Sequence, residues 1–195
     1  MARTKQGEPN KRDALIDAAK VLLVERGYEA MSPKAVLRAS GAGQGSLYHH
    51  FEGKCDLAAS ALDAIREEAC AEFDTAFVKA RTPLKQVYSY LDATRDALRG
   101  CRLGRLANEQ AIFDPHLAPA VRGFFEHIQS ELTKAVRLAQ RDGELLNSLK
   151  PAEVATLLIT AVQGGYVLSR IHNDPALLTT AISAAKAQLK ALHPR

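Results

Sequence analysis

Apolar residues return every three or four positions along most of this chain, and no segment alternates convincingly as a strand over six residues. Leu117, Val121, Phe124, Phe125, Ile128, Leu132, Ala135, Val136 and Ala139 keep one helical face before Gly143 closes it. After Pro151 the run AEVATLLITAVQGGYVLSRI is apolar on most sides. A last stripe from Pro175 carries Leu178, Ile182, Ala185, Leu189 and Leu192. The pattern predicts an all-α protein of about nine helices, because a 3.6-residue period cannot sit as a pleated strand.

Glycine and proline divide that pattern unevenly. A helix from Asp13 ends near Gly27, where a left-handed residue is expected. Ser32-Pro33 is an N-cap hydroxyl followed by proline at the first helical position. The helix it starts is short, because Gly41 and Gly43 interrupt it. A second short helix runs from Gln44 to about His50, and a longer one begins near Lys54. Pro83 opens a helix reaching about Leu98, and a short element with Leu103, Leu106 and Ile112 precedes Asp114-Pro115. The expected organisation is a basic, flexible arm over 1–12, a three-helix helix–turn–helix domain over 13–54, and a helical bundle over 55–195.

Composition removes several classes. With 195 residues, 47% hydrophobic and 25% charged, the chain is ordinary for a globular protein. No run of eighteen apolar residues and no signal-type apolar segment at the start point to a membrane or to export. Cys55, Cys70 and Cys101 are odd in number and widely spaced, which suits a reducing cytoplasm better than a disulfide framework or a zinc site. The net charge of +4 is mild. Arg3, Lys5, Lys11 and Arg12 against Glu8 make the arm basic enough either to be a solvated tail or to meet phosphates.

Residues 41–51, GAGQGSLYHHF, need a different explanation. The spacing is not GxxxxGK[ST] and no strand precedes it, so a nucleotide loop is excluded. Adjacent His49 and His50 point about 100° apart on a helix and do not converge on a metal. Two short helices joined by a glycine-containing turn fit a helix–turn–helix. Leu47 and Phe51 face inward together, leaving Gln44, Ser46, Tyr48 and His49 as hydrogen-bonding groups at the start of the second helix. A major-groove reader needs such groups there.

Over residues 13–61 the chain resembles the DNA-binding domain of TetR-family transcriptional regulators. The matching marks are Ala18-Ala19, Gly27-Tyr28, Val36, Gly41, the block Gly45-Ser46-Leu47-Tyr48-His49-His50-Phe51, and Lys54 with Leu57. The resemblance implies a DNA-binding set of Ser32, Lys34, Gly43, Gln44, Ser46, Tyr48, His49 and Lys54. Within it Ser32, Tyr48 and Lys54 would meet phosphates, Lys34 could reach the backbone, and Gln44 and His49 would face base edges. Gly43 holds the capping position where the family usually has serine, and His49 is expected outward with His50 packed. The partners implied are a double-stranded operator, a small-molecule effector and a second copy of the chain, in the cytoplasm, with no membrane, metal or cofactor.

In the bundle, polar or aromatic groups interrupting apolar faces are the effector-site candidates: Tyr88, Cys101, Asn108, Phe113, His116, Phe124, His127, Gln163 and Tyr166. Leu178, Ile182, Ala185 and Leu189 are the expected dimer surface. Gly164-Gly165 suggests a close helix approach, in the core or across a dimer. Cys101 among Arg99, Arg102 and Arg105, and Cys55 beside Lys54, raise the alternative of a cysteine-based electrophile or redox sensor. An all-α ligand binder or a cysteine enzyme without DNA binding are the alternatives from other classes. No nucleophile motif surrounds Cys101, so an enzyme is not the expectation.

Overall fold

The computed structural model describes residues 10–194, and every element in that span is helical. In chain order these are α1 (Lys11–Ala30), α2 (Pro33–Ser40), α3 (Gln44–His50), α4 (Lys54–Lys79) and α5 (Pro83–Asp92). Two 3-10 turns, Gly104–Asn108 and Gln110–Phe113, follow, then α6 (Ala118–Arg141), α7 (Pro151–His172) and α8 (Ala176–Ala191). Of the expected basic arm, Arg3, Lys5 and Glu8 lie outside the described residues. Lys11 and Arg12 are already helical, because the Asn10 side chain caps α1 by accepting the Arg12 N–H at 3.1 Å.

Chain contacts gather into two compact units. One comprises the described residues up to Arg66 together with Arg105–Val121; the other comprises Glu67–Gly104 and the chain from Arg122 onward. The first unit therefore extends past the 54/55 division expected from the sequence, and it recruits a stretch from the middle of the chain. In it α2 and α3 both pack against α1. Leu15, Ala19, Leu23, Val36, Leu47, Leu57, Leu62, Leu106 and Leu117 are fully or nearly fully buried.

Two expected helix ends move. α1 continues to Ala30, with a break at Gly27, whose φ of 81° and ψ of 174° belong to a region only glycine visits readily. α5 stops at Asp92 rather than near Leu98. There the Arg95 guanidinium donates to the Tyr90 and Leu91 carbonyls, and to the Ala93 carbonyl at 2.8 Å, satisfying the open end of the helix.

The second unit is built on α5 to α8 with the latter part of α4. Its core includes Phe77, Val87, Tyr90, Leu91, Leu132, Val136, Leu158 and Val162. Leu178, Ala185 and Leu189 are buried in the same core, and Ile182 packs against it. The stripe expected to meet a partner thus faces the chain's own α7, since α8 has one strongly apolar side and the core claims it. The α7–α8 crossing is close: a Cβ on Gly165 would stand 2.7 Å from Leu178 Cδ1. Ser169 on α7, fully buried, accepts the Leu178 N–H at 3.0 Å, and Asp174 accepts the Ala176 N–H at 2.9 Å, so both side chains serve open donors at the start of α8.

By length and composition alone α7 is long and apolar enough to cross a membrane, although it holds no unbroken run of eighteen apolar residues. Its buried side nevertheless packs in the core through Val154, Ala155, Leu158 and Val162. Its other side exposes Leu157, Val167, Leu168 and, at 70%, Ile171. Gly164 lies on that open side, where a Cβ would meet no atom within 4 Å beyond its own helix backbone among the described residues.

Candidate nucleic-acid interface

The turn between α2 and α3 follows from its residues. Ser32 accepts the Ala35 N–H at 3.2 Å and Pro33 occupies the first position of α2. Gly41, with φ 69° and ψ 6°, ends α2 in the left-handed conformation, and its N–H returns to the Leu37 carbonyl. Gly43 begins α3 without a side-chain cap. Leu47 and Phe51 are buried and seat α3 on the unit's interior.

That seating turns a polar surface outward. Ser32, Lys34, Gly43, Gln44, Tyr48 and His49 are exposed, Tyr48 by 56%, while Ser46 is half-buried. His50 is half-buried with its ring edge-on to Phe51 at 6.4 Å, so His49 is the outward histidine of the two. Arg38, also exposed on α2, adds a cation that the motif reading passed over; its signal was the charge itself. Residues 30–51 contain Lys34, Arg38, His49 and His50 but no Asp or Glu. A short, cationic, acid-free face carrying amide, phenol and imidazole groups can approach a polyanion and hydrogen-bond with base edges.

Lys54 is placed differently from the expectation. Its ammonium donates to the Glu29 carbonyl at 3.3 Å and sits 4.2 Å from the centre of the Tyr28 ring. It braces the end of α1 instead of projecting from the α2–α3 face. Cys55, next to it, lies 3.7 Å from Asp114 Oδ2. Burial, then the Asp114 charge, push the Cys55 thiol above its ordinary value of 9.0. A raised value favours the protonated sulfur, which lowers the thiolate fraction a sensor would use. The fold favours the neutral thiol, so its contribution to stability is intact below the ordinary range and is lost as pH rises through the raised value. We expect iodoacetamide at pH 7.5 to modify Cys55 more slowly than the same cysteine in the unfolded chain. Mass spectrometry of the labelled peptide reads the rate.

The effector-site candidates scatter. Asn108 and His116 are exposed and Phe113 is 81% exposed, all on the stretch that joins the first unit. None lines an interior, because the 3-10 turns there bury Leu106 and Ala111 instead. Phe124 is half-buried against the second unit's core. Tyr88 shares a hydrogen bond with His193 Nε2 at 3.3 Å, and His127 Nε2 donates to Asp74 Oδ1 at 2.7 Å. Cys101, Gln163 and Tyr166 remain together in the second unit. Cys101 Sγ accepts the Gly104 N–H at 3.3 Å, and Gln163 Oε1 lies 2.8 Å from where a Gly104 Cβ would stand. Burial pushes Tyr166 up to about 12 and raises Tyr90 as well; the Arg95 cation opposes both shifts and Cys101 adds to both. Tyr90 and Arg95 were missed by the sequence reading, since nothing in the helical period marks Arg95 as folded back over the Tyr90 ring at 5.0 Å. The Arg102 guanidinium is engaged with Glu72 at 2.6 Å and Glu68 at 3.8 Å.

A helix–turn–helix presenting an acid-free cationic face, followed by a helical bundle, defines a DNA-binding transcriptional regulator. Residues 15–61 match the family described as bacterial regulatory proteins, tetR family, and residues 81–185 match the tetracyclin repressor-like C-terminal domain. The chain belongs to the TetR family of bacterial transcription regulators. Among its relatives, transcriptional regulator AcuR of Cereibacter sphaeroides is 25% identical, over 83% of this chain and 77% of that protein. The transcriptional repressor BepR of Brucella suis is also 25% identical, over 89% of this chain and 87% of its own. A regulatory protein TetR from Rhodobacter sphaeroides shares the fold with a TM-score of 0.77 at 24% identity, covering 90% of this chain and 96% of that one.

Proposed function

We propose that this regulator is a homodimeric repressor that binds a near-palindromic operator through α2 and α3 and is released by a small effector. The observation that carries the DNA reading is the outward set Lys34, Arg38, Gln44, Tyr48 and His49 on a face free of carboxylates. Lys34, Arg38, Ser32 and Tyr48 suit phosphates, which fix register and affinity; Gln44 and His49 suit base edges, which fix sequence. The relative named as a repressor supports that sign of regulation.

The second copy would cover the open side of α7. Leu157, Gly164, Val167, Leu168 and Ile171 form an uncharged face, and α8, which packs on α7, exposes Thr180, Ser183, Ala184 and Ala187. The effector would be held in the second unit, where Tyr90, Arg95, Cys101, Gln163 and Tyr166 bring polar groups into an otherwise apolar region. Effector binding biases an equilibrium between dimer geometries only insofar as it prefers one of them. The regulator acts where its operator is, in the cytoplasm.

Mobility shift with an operator selected from random DNA tests the interface. Lys34→Ala and Tyr48→Phe should weaken binding similarly on every sequence, and Lys34→Ala should reduce the salt slope by about one. Gln44→Ala should instead relax preference at one base pair, worth about 1–3 kcal/mol of discrimination. Equal binding by all three variants and the parent would place the interface elsewhere.

A further inference from the structure

The end of α1 is held in an unusual way. Its last turn follows the break at Gly27, the one residue of α1 with a non-helical backbone. Both backbone groups of Glu29 are taken up by side chains from distant parts of the sequence. The Glu29 N–H donates to Glu109 Oε2 at 3.0 Å, and the Glu29 carbonyl accepts from Lys54 at the start of α4. One turn earlier the Arg105 guanidinium donates to the Val24 carbonyl, and to the Glu25 carbonyl at 3.2 Å. Arg105 and Glu109 lie on the stretch Gly104–Phe113, so one segment grips the α1 terminus with a cation on its carbonyls and an anion on its amide.

Gly27 is shaped to this grip. A Cβ there would stand 2.2 Å from Glu109 Oε1 and 2.9 Å from its carboxylate carbon. The carboxylate fills the space a side chain would need. α2 and α3 both pack on α1, so whatever fixes the end of α1 fixes the reading helix with it. Residues 105–121 belong to this first unit by contact, yet they lie within the stretch 81–185 that matches the family's C-terminal domain. In the chain they are flanked on both sides by residues of the second unit.

We propose that Glu109 is a positioning residue for DNA recognition: seated on Gly27 and the Glu29 amide, it locks α1 and the reading helix α3 to the 105–121 segment. The inference rests on the DNA-binding reading above. Arg105 assists by holding the carbonyls, and Lys54 completes the bracket from α4. A loosened bracket leaves each helix–turn–helix intact but lets its orientation vary, and a symmetric operator records that variation as tolerance of half-site separation.

The test is a binding selection on operators whose two half-sites keep their sequence while their separation varies base pair by base pair. It uses the full-length parent, Glu109→Ala, Glu109→Asp and Glu109→Gln, each checked for melting temperature. The parent should prefer one narrow separation. Glu109→Ala and the shorter Glu109→Asp should bind the best operator at least tenfold more weakly and accept separations one or two base pairs either side. Glu109→Gln, whose amide oxygen can still accept the Glu29 N–H, should restore the narrow profile. An unchanged separation profile in Glu109→Ala and Glu109→Asp overturns the proposal, whether or not their melting temperatures fall; so does a Glu109→Gln profile as broad as that of Glu109→Ala. A parent that selects no DNA overturns the DNA-binding reading itself, and the proposal with it.

Discussion

Gly27→Ala should be the most destabilising single methyl addition in the first unit, costing about 3 kcal/mol or more. Two terms combine. Alanine at a φ of 81° and ψ of 174° is strained by about 1–3 kcal/mol, since that region is essentially reserved for glycine. The new Cβ also displaces the Glu109 carboxylate, whose charged hydrogen bond to the Glu29 amide contributes about 1.5–3 kcal/mol. For a chain of 195 residues the melting temperature should fall by roughly 6–12 °C. The double variant Gly27→Ala/Glu109→Ala should be less destabilised than the sum of the singles, because the carboxylate can be lost only once. Thermal and urea melts of the four proteins check both statements. A Gly27→Ala protein that melts within about 2 °C of the parent would show that neither the backbone nor the carboxylate demands glycine.

The second large effect concerns association. Leu168 and Ile171 are 46% and 70% exposed on α7 although both are large and apolar. Burying such side chains between two copies gains about 1.5–3 kcal/mol for each side chain fully removed from water. A carboxylate placed there would have to be desolvated without a partner, which costs several kcal/mol. Leu168→Asp and Ile171→Asp should each weaken dimerisation by about 100-fold or more, with each 1.4 kcal/mol counting as tenfold. Because the positions are open to solvent in one copy, the monomer's melting temperature should change little. Sedimentation equilibrium reads the dissociation constant, and operator affinity should fall in parallel. Variants that remain as tightly dimeric as the parent would move the interface off this face.

The sequence made the local parts of this molecule readable. Ser32-Pro33, Gly41 and the Pro83 and Pro151 starts act through their own backbones, so α2, α3, α5 and α7 begin where the pattern predicts. What escaped it is long-range. Beyond Gly27 the last turn of α1 is bonded to Glu109, which is eighty positions from its partner Glu29. α5 ends early because Arg95 folds back on its carbonyls, which no periodicity reveals. On α8 the stripe Leu178, Ile182, Ala185 and Leu189 was correctly seen as one face, but a stripe does not say whether its cover is α7 or another molecule. The outward groups of α3 were legible because Leu47 and Phe51 had to be inside. Lys54 was not, since a long cation can reach either a phosphate or a nearby carbonyl and ring.

Purified full-length protein, confirmed as a folded dimer, is mixed at low salt with fragments tiled across the genome that encodes it, and the retained DNA is sequenced. A few near-palindromic sites whose half-site centres lie about one helical turn apart should be enriched. Affinity for them should fall linearly in logarithm as salt rises. Retention of no fragment above background by the folded dimer would contradict the DNA-binding reading.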